Sequence, residues 1–193
     1  MRAWRPLLET VHIVMMGIWL GGLLAATAVA AIIFPAMKQL EPALPGYAAY
    51  TGDHSKLAAG HVGAKLFLAV DLLQLVCAVA GGAALGVLVL GKSLERRAAT
   101  TVRLVAFALA AALLTFGLAI FTPSMTRPMR EYWAAAERGD NEVALAHRAK
   151  FAPRHTTAAG LLFATTGCVG LSLTAGAWSL ARRRVAIGQE PRP

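Results

Sequence analysis

Five histidines, and one acid set deep in an apolar stretch, are the residues of this chain best suited to chemistry. His54 and His61 stand seven residues apart, and His147 and His155 eight, so each pair shares a face wherever the backbone is helical. Imidazole is a ligand for zinc, copper and haem iron, and Met125 and Met129 add soft sulfur suited to copper. The pattern makes His54, His61, His147 and His155 candidate metal ligands, with Asp53 able to contribute, and His12, His61 and His155 candidate ligands of a haem b. Neither HExxH nor a tight HxH occurs, and a haem held by both His12 and His155 conflicts with their expected places near opposite membrane faces. Against these site readings, histidines near a membrane boundary are also ordinary interfacial residues.

Asp71 is the second candidate. At 1.5 Å per residue it lies about 14 Å inside its apolar block, where an ionised carboxylate is costly and normally faces a partner in the bundle interior. Gln74, Thr115, Thr165 and Thr166 fall at similar depth, so an intramembrane polar layer of Asp71, Gln74, Thr115, Thr165 and Thr166 is expected. Its ordinary role is to hold helices together; a proton or cation path is the sharper alternative. Cys77 and Cys168 each sit near the middle of an apolar block, too far apart for a CxxC motif, and read as small core residues. No GxSxG, P-loop or dinucleotide fingerprint occurs, so an enzyme is disfavoured.

The elements that position these residues follow from composition. The 193 residues are 57% hydrophobic and only 15% charged, with a mean hydropathy of +0.57. Soluble domains run at about 45–50% apolar and about 25% charged. The excess is gathered into four blocks, at about 9–34, 62–90, 102–122 and 156–181. About 20 apolar residues suffice for a helix to cross a bilayer, and strands with open edges cannot sit in lipid. The expected fold is therefore all-α and integral to the membrane: one domain, a four-transmembrane-helix bundle with short amphipathic helices in the second outer loop. The first block follows Arg2 and Arg5 and contains Ala26-Thr27-Ala28, as a cleaved signal would. Its apolar run to Phe34 is too long for a signal, and a retained span is expected.

Lysine and arginine set the direction. Ten basic residues, including Arg2, Arg5, Lys92, Arg96, Arg97, Arg103, Arg182, Arg183, Arg184 and Arg192, crowd the short N-terminus, middle loop and tail. Nine are spread over the two longer loops. Both termini are thus expected in the cytoplasm, in a cell inner membrane, with the lipid bilayer as the main partner. The net charge of +9 lies between apolar blocks without a nucleic-acid-binding motif, so no nucleic acid is expected. Gly17-x-x-x-Gly21 and Gly82-x-x-x-Gly86 are small-residue patterns suited to close packing within the bundle; a dimer interface uses the same pattern.

Several segments together resemble one family. They are His12 with Trp19-Leu20-Gly21-Gly22, then Phe34-Pro35-Ala36-Met37, then Ala59-Gly60-His61-Val62-Gly63-Ala64-Lys65-Leu66-Phe67. Thr122-Pro123-Ser124-Met125 and Arg148-Ala149-Lys150-Phe151-Ala152-Pro153-Arg154-His155 complete the set. In order and spacing they resemble the four-helix membrane family of unknown function related to transmembrane protein 205. That family shows Leu-His-x-x-Ser where this chain reads Arg154-His155-Thr156-Thr157. The resemblance implies the four-helix fold and brings no established activity. A looser similarity exists to copper-resistance membrane domains and to the four-helix protoporphyrinogen oxidase; the likeness to the oxidase implies His12 as a candidate haem ligand. The expected function is a scaffold or an accessory subunit among other membrane-complex subunits. The alternative is a metal- or haem-binding membrane protein, handling copper or electrons at the outer face.

Overall fold

A computed structural model describes residues 4–94 and 98–188, without the side chains of 183–188. Arg2, Arg96, Arg97, Arg183, Arg184 and Arg192, used above to orient the chain, lie outside the described residues or side chains. The regular structure among the described residues is all helical: α1 (Arg5–Leu40), α2 (His54–Leu90), α3 (Ala98–Phe116), α4 (Thr122–Glu137), α5 (Asn141–Phe151) and α6 (Arg154–Gly188). Four helical runs are long and apolar enough to cross a membrane, as expected of a multi-pass membrane protein. They expose large apolar side chains such as Ile32, Leu68, Val76, Val79 and Phe163 along their lengths, a surface that water would not tolerate and lipid does.

Helix boundaries extend beyond the apolar blocks. α1 continues through Pro35 to Leu40, since one missing N–H late in a long helix removes a single ladder bond. It ends at Glu41, whose φ of +42° takes the left-handed position usually given to glycine. The connection from α1 to α2 ends at Asp53, with one 3-10 turn at Pro45–Tyr47, so α2 begins before its apolar block at 62. Asp53 then caps α2: its carboxylate accepts the Lys56 N–H at 3.0 Å. His54 and His61 accordingly stand on the first turns of α2.

The third span and the first short helix of the second loop form one helical run. Between α3 and α4 a π-helical turn, Gly117–Phe121, widens the spiral just before Pro123, which accommodates a residue that lacks the N–H of a regular turn. α4 and α5 are separated by a corner at Gly139. Gly139 adopts φ +77°, and Asn141 ties the corner down through hydrogen bonds to Gly139 O, Ala49 O and Thr51 N. A second break at Ala152–Pro153 separates α5 from α6, so His147 and His155 lie on different helices and share no helical face.

The described chain divides into two compact units. One comprises the chain through Gly22, Leu73–Leu114, and the segment from Ala164 onward; the other comprises Leu23–Leu72 and Thr115–Phe163. In the first, the inward face of α1 carries Glu9, His12, Met16 and Trp19 at helical spacing, all buried. In the second, Tyr50, Leu57, Tyr132, Ala135, Ala136 and Ala144 form a core, with Tyr47, Trp133 and Phe151 packed against it.

Candidate functional site

The first unit builds a polar cluster around His12, which is completely buried. Its Nδ1 lies 3.0 Å from the Gly81 carbonyl oxygen. A carbonyl only accepts, so Nδ1 carries a proton and Nε2 is the acceptor of the neutral ring. Nε2 faces Ser172 Oγ at 3.4 Å, and the same hydroxyl lies 3.2 Å from the Arg103 carbonyl oxygen. One hydroxyl proton thus has two acceptors to choose between. The approach of α1 to α2 requires glycine at 81: a Cβ there would come within 2.9 Å of Met16 Cε and 3.3 Å of Met15 Cβ. The Phe107 ring packs at 5.7 Å from His12 and meets Trp19 edge-on at 6.5 Å. Two turns further along α1, Trp19 Nε1 donates to Gln74 Oε1 at 3.0 Å.

Two residues that sequence reasoning treated as flanking charges are also buried here. Glu9 is 3% and Arg103 1% exposed. Glu9 Oε1 accepts from Arg5 Nε at 3.2 Å, and the Glu9 carboxylate acts electrostatically on Arg103. The Arg103 guanidinium lies on Gly176, where an added Cβ would meet Nε at 3.3 Å and Cζ at 3.5 Å. The signal for these residues was present. Glu9 precedes His12 by three positions and Arg103 precedes Phe107 by four, the spacings of one helix face.

The second unit holds the remaining histidines, each committed to its own neighbours. Tyr47 Oη lies 2.8 Å from His61 Nε2, and the His61 ring stacks on Trp133 at 3.9 Å. Burial first, and then the Glu137 carboxylate, push the Tyr47 phenol above its ordinary pKa. It stays protonated and donates to Nε2. His54 Nε2 donates to the Tyr50 carbonyl at 2.8 Å, while Tyr50 and Tyr132 share a hydroxyl–hydroxyl bond of 3.0 Å. His147 Nδ1 stands 3.0 Å from Glu131 Oε2, outside hydrogen-bonding geometry. His155 packs edge-on against Phe151 at 5.9 Å. The aromatic residues Tyr47, Tyr50, Tyr132 and Trp133 were not anticipated as a group.

These placements bear on the candidate ligands. Among the described residues no group of three or more His, Cys, Asp or Glu is arranged to hold a metal ion. Asp53 is engaged as a helix cap and in a 3.0 Å ion pair with Lys56. His12, with both ring nitrogens turned onto protein atoms and no exposed surface, presents no open nitrogen to a haem iron. Of the expected polar layer, Gln74, Thr165 and Thr166 belong to the first unit, and Asp71 and Thr115 to the second. None of the five is without a partner, and Thr115 lies on an exposed side of its helix. No family model, curated protein or solved structure matches this chain.

Proposed function

We propose that this protein is a multi-pass component of the cell inner membrane, both termini cytoplasmic, acting as a scaffold or accessory subunit of a membrane complex. One observation carries the proposal. Gly17 and Gly21, a pattern that suits packing within the bundle or a dimer interface, face outward: a Cβ added at either meets nothing within 4 Å. The adjacent Gly22 faces inward onto Leu73, whose Cδ2 would stand 2.5 Å from its Cβ. The Gly17/Gly21 face of α1 is thus a smooth strip at which another membrane helix can approach closely. The hydrogen bonds that engage His12, His54 and His61 with neighbours within the chain favour this reading over a metal or haem carrier. The orientation rests on the crowding of arginine and lysine into the short segments. The resemblance to the family related to transmembrane protein 205 fits the same picture.

The test is purification from native membranes in a mild detergent. A membrane subunit should co-purify in fixed ratio with the wild type and be lost from Gly21→Leu, whose side chain fills the strip. A wild type that purifies alone, or a subunit retained by the variant, contradicts the proposal.

A further inference from the structure

We infer that Arg103 and Arg5 form a binding site for a phosphate-class oxyanion at the end of the first unit where α1 and α3 begin. Arg103 is 1% exposed, yet its Nε and Nη2 have no hydrogen-bond partner among the described residues. These two nitrogens form the side-on edge of the guanidinium, whose parallel N–H bonds fit two oxygens of one oxyanion. Leaving such donors unmatched in an apolar interior is costly, and native structures rarely do so without a purpose. Arg5 Nη2 is likewise buried without a partner, while its Nε holds Glu9. Arg5, Glu9 and Arg103 sum to two positive charges against one negative, so the cluster accepts one further negative charge.

The surroundings suit an oxyanion that reaches the cluster from the membrane boundary. The Arg5 side chain is 28% exposed and forms the rim, beside the exposed Trp4 and Leu7. Trp178, also exposed, lies under the Arg182 guanidinium at 5.0 Å, a pairing typical of the headgroup level. Gly176 keeps the guanidinium in place, because any side chain there would press on Nε and Cζ. Lysine could supply the charge at 103 but not the two-pronged edge. The oxyanion can be the phosphodiester of an anionic lipid or free inorganic phosphate.

The experiment uses the full chain in a phosphate-free maltoside detergent. Inorganic phosphate is titrated with thermal unfolding as readout. Phosphatidylglycerol and an uncharged glycosyl diacylglycerol are offered separately, with retained lipid counted by native mass spectrometry. Saturable stabilisation by phosphate identifies a free-anion site. Selective retention of one phosphatidylglycerol without a phosphate response identifies a lipid site. Arg103→Lys should weaken the observed binding about tenfold or more. If that variant does not fold, Arg5→Gln at the rim decides, with a loss of several-fold expected. Absence of saturable binding of either probe to the wild type overturns the inference. So does undiminished binding in Arg103→Lys or, where that variant cannot be made, in Arg5→Gln.

Discussion

Trp19 and Gln74, 55 positions apart, are joined by a buried 3.0 Å hydrogen bond from the indole Nε1–H to the amide oxygen. It ties α1 to α2 inside an apolar layer where neither group can turn to water. Gln74→Leu should therefore destabilise the fold by about 1–2 kcal/mol, the range for a lost hydrogen bond within a membrane protein. Trp19→Phe combined with Gln74→Leu should lose less than the two single variants summed, since both polar groups are then gone. Reversible unfolding in mixed micelles measures the cycle.

Two neighbouring glycines should respond in opposite directions. At Gly82 an added Cβ would stand 2.9 Å from Phe107 Cζ, and that ring is wedged between His12 and Trp19. Gly82→Ala should cost about 1–3 kcal/mol through overpacking. At Gly86 nothing lies within 4 Å, so Gly86→Ala should be neutral or stabilise by up to about 1 kcal/mol through helix propensity. Midpoints of thermal unfolding in one detergent compare the pair.

The corner between α4 and α5 depends on a conformation that other residues resist. Gly139→Ala meets a φ of +77° and places its Cβ 2.8 Å from the Ala49 Cβ. We expect a loss of about 1–3 kcal/mol and, with the Asn141 bonds disturbed, faster proteolysis of the loop around Tyr47. Limited proteolysis in detergent reads this directly.

The Asp53 cap makes the start of α2 sensitive to acid. The hydrogen bond from the Lys56 N–H, foremost, and the Lys56 and Arg148 charges hold this carboxyl below its ordinary pKa of 3.8. A carboxyl depressed in the fold adds stability that is complete above that ordinary value. The contribution fades as the pH falls through the lower folded value. Because Asp53 is largely solvated the effect is modest. Wild type should lose more stability than Asp53→Asn between pH 5 and about pH 3, since asparagine caps without titrating. Parallel pH dependences of the two midpoints would refute the assignment.

What the sequence made legible was set by length and periodicity. Four apolar blocks announce four spans, and Gly139-Asp140-Asn141 announces the break between α4 and α5. The block ending at 34 understates α1, because Pro35 removes one ladder bond and α1 has enough others to continue. Glu9 and Arg103 misled for a different reason. A charge beside an apolar block looks the same in sequence whether water or another helix covers it, and here Arg5, Gly176 and Ser172 lie against it. The histidines show the limit of spacing arguments. Seven residues place His54 and His61 in phase on α2, but Tyr50 and the Tyr47–Trp133 pair, brought in by the loop and by α4, determine what each ring touches.

The central claim, that the Gly17/Gly21 face of α1 receives another membrane helix, is tested most directly by photo-crosslinking in intact membranes. A photoreactive residue in place of Ile18, which is exposed beside that strip, should yield a discrete protein adduct larger than the chain and different from twice its mass. The same probe at Val79, exposed on α2, should yield lipid adducts alone. Lipid adducts alone at position 18, or a product at twice the chain's mass, would contradict the account.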